Sequence, residues 1–164
     1  MPTPQRNGLD PDQLVTYVIR PCLERLGLHS KAAEELILGT AIQESGLRFL
    51  HQIGGGPALG LWQMEPATHD DIWSNFLAFK PSLGGLILDA GHGTTFRHPD
   101  RLVSDLDYAC AMARAHYFRQ PMSLPAAGDL AGQAAYWKRY YNTPKGAGTV
   151  EEYIANWQRV MGGK

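Results

Sequence analysis

The helix-forming stretch at residues 30–45 limits the fold of this chain most. Its apolar face ends with a carboxylic acid, Glu44, where a further apolar residue would be expected. Ser30 is a good N-cap, helix formers follow it, and Gly46 supplies a C-terminal stop. Residues spaced by four, four and three positions share one face of this helix: Ala33, Ile37, Ala41 and Glu44. The sequence therefore predicts a helix that packs into a core and carries Glu44 on its last turn.

Two effects are expected to raise the pKa of Glu44 at this position. Partial burial disfavours the charged carboxylate, and the negative end of the helix dipole disfavours it as well. A glutamate that stays protonated near neutral pH can donate a proton to a glycosidic oxygen. The alternative is an ordinary exposed glutamate at a helix end, since glutamate is rarely fully buried. The helix taken alone favours this second interpretation.

The segment after the helix predicts one wall of a cleft. Residues 48–59 form a glycine-rich loop, and no Gly-Lys-Ser/Thr follows it to suggest a phosphate site. Residues 60–64 are a short apolar run that we expect to be extended or paired in a small hairpin. Trp62, Gln63 and Met64 would then line the cleft. The alternative for the tryptophan and the methionine is ordinary core packing.

The order of these parts resembles the soluble lytic transglycosylase and goose-type lysozyme superfamily. The family pattern begins with Glu-Ser-Gly, continues with a loop and closes with Gly-Leu-x-Gln-Ile/Leu-x-Pro-x-Thr. Here ESG at 44–46 and GLWQMEPAT at 60–68 match it, with Trp62 and Met64 at the variable apolar positions. The two motifs are specific in combination, although they cover only a small part of the chain.

The resemblance also implies which residues form the site. Glu44 would be the only catalytic acid and base, and Ser45 would hold its side chain or a substrate amide. The family has an Ala-Tyr-Asn-Ala-Gly segment whose tyrosine hydrogen-bonds the acid, and Tyr141-Asn142 is its counterpart here, without the Ala-Gly. The substrate-binding residues implied in this way are Ser45, Leu61, Trp62, Gln63, Met64 and Tyr141.

The activity implied by the resemblance is cleavage of peptidoglycan glycan strands at the β-1,4 bond between N-acetylmuramic acid and N-acetylglucosamine. The family implies no metal and no other cofactor. In a lytic transglycosylase the 6-hydroxyl of the sugar attacks and leaves a 1,6-anhydro end, whereas in a goose-type lysozyme water attacks. No second carboxylate stands at one of the fixed positions of the family pattern, which favours the transglycosylase. The hydrolase is the alternative, and a non-catalytic glycan-binding or virion structural module is the second alternative.

Two further groups of residues are left out of the predicted site. Glu65 is tempting as a second catalytic carboxylate. However, the alternation of an extended segment would turn it away from Trp62 and Met64, and the family pattern has no acid there. His92 and His98 lack a third ligand at a readable spacing, so no metal site is predicted.

The organisation predicted for the 164 residues is one domain over 10–164 after a disordered lead-in at 1–9. Helix patterns dominate, and at most a small sheet or hairpin fits near 48–64. This agrees with the lysozyme-like α+β fold that the resemblance implies. Pro21 should kink or restart the first helix. Helices are predicted over residues 10–27, 30–45, 66–79, 100–119 and 130–141 and from Thr149 onward.

Charge and hydropathy limit the partners. The net charge of −1 gives no strong attraction to nucleic acid, and no run reaches the ~18 apolar residues of a membrane span. The first residues lack the apolar region of a secretory signal, so we expect synthesis in the cytoplasm. We expect the protein to be a monomer in isolation. It would reach the cell wall either as part of a phage virion, together with other virion proteins, or by release through a non-Sec route. Cys22 and Cys110 are predicted to be reduced core thiols.

Overall fold

The computed structural model describes residues 8–89 and 95–162 of the chain. Over these residues the protein is mostly helical, as the sequence predicts. Two π-helical turns, Val15–Ile19 and Lys138–Asn142, and a 3₁₀ turn, Leu77–Phe79, continue the α-helices. The α-helices are α1 (Pro11–Leu14), α2 (Arg20–Arg25), α3 (Lys31–Ser45), α4 (Pro66–Asn75), α5 (Pro81–Asp89), α6 (Arg101–Ser104), α7 (Leu106–Phe118), α8 (Leu130–Trp137) and α9 (Val150–Met161).

Strand pairing is minimal in the described part of the chain. It consists of two isolated β-bridges, His51 with Leu59 and Leu59 with Met64. Between the residues of the second bridge, Gly60 and Gln63 take positive φ values of 77° and 47°, which reverses the chain in a tight turn. The extended conformation expected for 60–64 is therefore wrong, whereas the paired turn is present. The α+β lysozyme-like class stays a prediction.

The capping signals for α3 and α9 are confirmed. The Ser30 side chain accepts a hydrogen bond from the Ala33 amide at 3.0 Å, and Gly46 ends the helix with a φ of +59°. A left-handed residue at this point favours glycine, which has no Cβ to clash. At the start of α9, Thr149 and Glu152 form the reciprocal capping box.

The helix that contains Pro21 is continuous across the proline. A π turn joins α1 to α2, and within it the Arg20 amide donates to the Val15 carbonyl, five residues back. The wider turn gives room to a ring that has no N–H and would clash in a regular α-helix. The predicted kink or restart at Pro21 is replaced by this π turn.

The helix predicted over 100–119 is divided in two. Asp105 adopts an extended conformation between α6 and α7, and its carboxylate accepts a hydrogen bond from the Tyr108 amide at 3.1 Å. The same carboxylate accepts from Arg101 Nε at 3.0 Å. Because Asp105 caps the second helix, one long helix becomes a short turn followed by α7.

α7 forms the centre of the core, as predicted, and most of its residues are buried. Cys22 and Cys110 are both buried and both free, so the prediction of reduced core thiols is confirmed. The Tyr117 hydroxyl lies 2.7 Å from Thr40 Oγ1, which itself donates to the Leu36 carbonyl. The tyrosine must therefore be the donor, and this hydrogen bond ties α7 to α3.

Most of the predicted lead-in, and one of the two histidines considered as metal ligands, fall outside the described residues. Residues 1–7 and His92 are among them. Leu9, at the end of the lead-in, donates its amide hydrogen to the Leu47 carbonyl at 3.0 Å, so the chain is already held on the domain there. Among the helices of 8–89 and 95–162, none is long and apolar enough to cross a membrane.

A glycine permits the close contact between α3 and α9. Gly39 lies in the middle of α3, and a Cβ built on it would overlap the hydroxyl of Tyr153 from α9. Tyr153 is 1% exposed and lies beside Trp137 of α8, with ring centroids 5.3 Å apart. The absence of a side chain at Gly39 therefore lets three helices meet at one point.

We expect Gly39→Ala to lower the free energy of unfolding by about 1–3 kcal/mol, because the added methyl group overpacks this contact. Gly85→Ala is the matched control. Gly85 is also helical, but its Cβ would meet nothing within 4 Å. That substitution should be neutral or raise stability by up to about 1 kcal/mol. Urea unfolding of both variants tests the pair, and equal effects would contradict the packing argument.

Candidate functional site

A cleft with a volume of about 560 Å³ lies beside Glu44. Glu44 enters it from the last turn of α3, and Gln63 and Met64 form a facing wall from the 60–64 turn. His116, near the end of α7, and Tyr141, in the π turn after α8, also line it. Residues from four separate parts of the chain thus meet around one carboxyl group.

Glu44 is half-buried and has one direct hydrogen-bond donor. Its Oε1 accepts from the indole Nε1 of Trp137 at 2.9 Å. Burial raises the pKa of Glu44 and the indole hydrogen bond lowers it, with a net result of about 7 against an ordinary value of 4.5. Near neutral pH the carboxyl group is therefore close to half protonated, which allows it both to donate and to accept a proton.

Trp137 is held rigidly in its position beside Glu44. It is fully buried, and it packs against Tyr153 at the contact between α3 and α9. On its other side, a Cβ at Gly148 would overlap the indole ring, so this glycine lets the loop after α8 close over Trp137. In the sequence Trp137 is one of four aromatic residues in a short segment, with Tyr136, Tyr140 and Tyr141, and nothing there relates it to Glu44.

Tyr141 lies in the cleft but does not bond as the resemblance implies. Its hydroxyl donates to the Trp62 carbonyl oxygen at 2.6 Å, and the hydrogen bond to Glu44 comes from Trp137 instead. Burial raises the pKa of Tyr141 well above its usual value, so it remains a donor. Its ring meets the imidazole of His116 edge to face at 5.1 Å. Tyr141 thus joins the 60–64 turn to the end of α8.

Gln63 and Met64 reach the cleft as predicted. The Gln63 amide nitrogen donates to the Gly60 carbonyl at 2.9 Å, so its side chain is fixed within the turn. Its amide oxygen is left as an acceptor. Met64 also lines the cleft, although only 3% of it is exposed. The Gln63 amide oxygen can accept a hydrogen bond from a ligand N–H.

The other three residues expected to bind substrate do not line this cleft, although Ser45 lines a second cavity that also contains Glu44. Trp62 is buried, and its indole donates to the Ile37 carbonyl at 2.9 Å, so the alternative of core packing is correct for it. Leu61 faces a different, apolar cavity. The Ser45 hydroxyl donates to the Ala41 carbonyl at 3.1 Å within α3. Neighbouring helical residues point about 100° apart, so Ser45 turns away from this cleft.

Glu65 and His116 line the cleft, and sequence reasoning missed both. An extended segment would turn Glu65 away from the cleft, but the turn at 60–63 removes the alternation and leaves Glu65 exposed on the cleft. Burial lowers the pKa of His116 to about 4, and its Nδ1 is buried without a partner among the described residues. It is therefore neutral at pH 7. No local pattern places this histidine beside Glu44.

A lysine organises the remaining wall of the cleft. Lys138 Nζ donates to Asn142 Oδ1 and to the Gly146 carbonyl, both at 2.8 Å, and to the Gly148 carbonyl at 2.6 Å. The loop that contains these acceptors lines the cleft. The charge of Lys138 is thus directed into the loop and does not face the cleft.

No metal-binding group of three or more histidine, cysteine, aspartate or glutamate residues occurs in the described ranges. No protein-family model, no curated protein and no solved structure matches this chain. The geometry around Glu44 is therefore the main basis for a functional proposal, together with the motif resemblance.

The raised pKa of Glu44 should cost stability at neutral and higher pH. Below pH 4.5 the group is protonated in both the folded and the unfolded states. As pH rises from 4.5 to about 7, only the unfolded state loses the proton, and stability falls by up to about 3 kcal/mol. Glu44→Gln removes this cost and keeps an acceptor for Trp137. We expect its gain in unfolding free energy over the wild type to grow between pH 4.5 and pH 8 in denaturant titrations; a pH-independent difference would contradict the pKa.

Trp137→Phe should raise the pKa of Glu44 further, because the indole hydrogen bond favours the charged carboxylate. NMR titration of a labelled Glu44 carboxyl carbon measures this shift. Trp157→Phe is the control, since this tryptophan lines a different cavity. It should leave the Glu44 titration unchanged. A Glu44 pKa that stays the same or falls in Trp137→Phe would rule out the role assigned to the indole.

Proposed function

We propose that this protein is a lytic transglycosylase that cleaves the β-1,4 bond between N-acetylmuramic acid and N-acetylglucosamine in peptidoglycan. The observation that carries the proposal is a half-buried glutamate, Glu44, whose pKa is raised to about 7 and which lines a cleft of about 560 Å³. Most carboxyl groups are ionised at neutral pH and cannot act as general acids. The match of residues 44–46 and 60–68 to the family motifs supports the same activity.

The proposed reaction uses Glu44 twice. The protonated carboxyl donates its proton to the glycosidic oxygen as the bond to C1 breaks. The carboxylate that remains then takes the proton of the sugar's 6-hydroxyl as that oxygen attacks C1, which closes a 1,6-anhydro ring. No water is consumed. The Trp137 N–H would stabilise the carboxylate between the two steps. A pKa near the working pH serves a group that must act as both acid and base.

The walls of the cleft suit a sugar substrate. The free amide oxygen of Gln63 would accept a hydrogen bond from an acetamido N–H. Met64 and the ring of Tyr141 would contact the apolar face of a pyranose. These contacts favour an N-acetylated glycan over a nucleotide, which would need cationic or backbone amide donors for its phosphates.

Hydrolysis of the same bond is the second candidate, and Glu65 is the observation that favours it. This carboxylate is exposed and lines the same cleft as Glu44. A second carboxylate can activate a water molecule for attack on C1, which would give a reducing end instead of an anhydro end. The lysozyme-like α+β fold is part of either proposal. A non-catalytic module of a virion that only binds the wall is the third candidate.

Mass spectrometry of digested peptidoglycan tests these alternatives. The transglycosylase releases anhydro products that are lighter by one water than the reducing ends made by hydrolysis. Glu44→Gln should lower kcat/KM by about 10²–10⁴-fold, and the wild-type rate should fall as pH rises above about 7. Glu65→Gln is the matched control, which leaves anhydro release intact.

Other outcomes select the other candidates. Reducing ends that disappear in Glu65→Gln would establish hydrolysis. A wild-type protein that binds sacculi without releasing any fragment would establish the non-catalytic module. Undiminished activity of Glu44→Gln would remove Glu44 from the mechanism.

A further inference from the structure

Glu44 lines two cavities and not one. The second has a volume of about 540 Å³ and is formed by the end of α3, the segment that follows it and the last part of α9. The cavity with Gln63 and Met64 lies against the same carboxyl group. A linear glycan that crosses Glu44 would therefore extend into both cavities, which is the geometry that cleavage within a chain requires.

The two cavities differ in charge. Arg48 and Arg159 line the second cavity, and Glu44 is the only carboxylate among its described lining residues. The first cavity contains Glu44 and Glu65, and none of its described lining residues is a lysine or an arginine. An anionic group on a bound glycan would be repelled from the first cavity and attracted to the second.

Both arginines are exposed to solvent, and one of them is held in place. Arg159 Nη2 donates to Asn156 Oδ1 at 3.1 Å, and Asn156 Nδ2 donates to Gln43 Oε1 at 2.8 Å. This chain of hydrogen bonds links α9 to the residue before Glu44. The position of Arg159 relative to Glu44 is therefore set by the same contact between α3 and α9 that holds Trp137.

Neither arginine is neutralised by the protein. The guanidinium of Arg48 lies over the ring of Phe49, with its central carbon 5.2 Å from the ring centroid. No carboxylate in the described part of the chain lies within ion-pair distance of Arg48 or Arg159. By contrast, Arg119 pairs with Asp71 at 2.6 Å. Two unpaired guanidinium groups beside a cavity are suited to carboxylate binding.

We propose that the second cavity, which we call the Arg48–Arg159 pocket, binds carboxylate groups carried by the glycan and so sets the direction of the strand across Glu44. This inference rests on the proposed function. The carboxylate belongs either to the lactyl ether of the sugar itself or to a peptide stem attached to it. Phe49 and the exposed Ile53, which also line the pocket, would contact the methyl groups near such a carboxylate.

Three glycans of matched length separate these sources. One is a neutral oligomer of N-acetylglucosamine, the second is a peptide-free strand that carries only the carboxylates of its muramic acid sugars, and the third carries peptide stems as well. Binding is measured on the full-length Glu44→Gln protein at low salt, so that no turnover occurs. We expect the carboxylate-bearing strands to bind about tenfold more tightly than the neutral one, with the difference shrinking as salt increases.

Arg48→Gln/Arg159→Gln, made in the same Glu44→Gln protein, should remove this preference and leave the affinity for the neutral oligomer unchanged. Arg139→Gln is the matched control, because Arg139 is an exposed arginine that lines neither cavity. It should keep the full preference. A preference shown already by the peptide-free strand assigns the pocket to the sugar carboxylate, and one that appears only with stems assigns it to the peptide.

Equal binding of all three glycans, or a preference that survives in the double variant, would refute the proposal that the Arg48–Arg159 pocket binds carboxylates. This failure is distinct from failure of the proposed function. A wild-type protein that binds with the expected preference but cuts no glycan supports the pocket and refutes the enzyme. A wild-type protein that cuts glycans but shows no preference for strands with carboxylates refutes only the carboxylate-binding role of the pocket.

Discussion

The contact between α3 and α9 determines the environment of the proposed acid. Gly39 lets Tyr153 approach α3, Tyr153 packs against Trp137, and Trp137 donates its indole hydrogen to Glu44. Each of these contacts requires the one before it, because a side chain at Gly39 would push the two helices apart. Close packing in a protein interior transmits such displacements instead of absorbing them. The position of a catalytic proton would thus depend on a glycine on the same helix, more than one turn away.

The pKa of Glu44 is the result of two opposed effects, of which burial is the larger. Burial favours the neutral acid, and the indole hydrogen bond favours the carboxylate. With burial alone the pKa would be higher still. If it were exposed, it would have lost the proton before the reaction began. The intermediate environment lowers the stability of the folded protein at neutral pH, a cost that is common where a site needs an ionisable group away from water.

Positive charges are distributed unevenly around Glu44. Lys138 lies next to Trp137 in sequence, yet its ammonium group is fully engaged by oxygens of the adjoining loop. Burial keeps His116 neutral. The wall that meets Gln63 therefore carries no positive charge from these two residues, whereas Arg48 and Arg159 remain unpaired on the other side of Glu44. Under the proposed function, this asymmetry would distinguish the two directions of a bound glycan strand.

Local signals in the sequence were sufficient for α3 and for the location of Glu44 on its last turn. The cap at Ser30, the stop at Gly46 and the apolar spacing between them depend on neighbouring residues only, and all of them appear in the structure. Tertiary structure alone decided which donor reaches the acid and which residues share its cleft. Trp137 replaces Tyr141 as the hydrogen-bond donor, and His116 joins from α7, because packing between helices distant in sequence brings side chains together without leaving a periodic pattern in the chain.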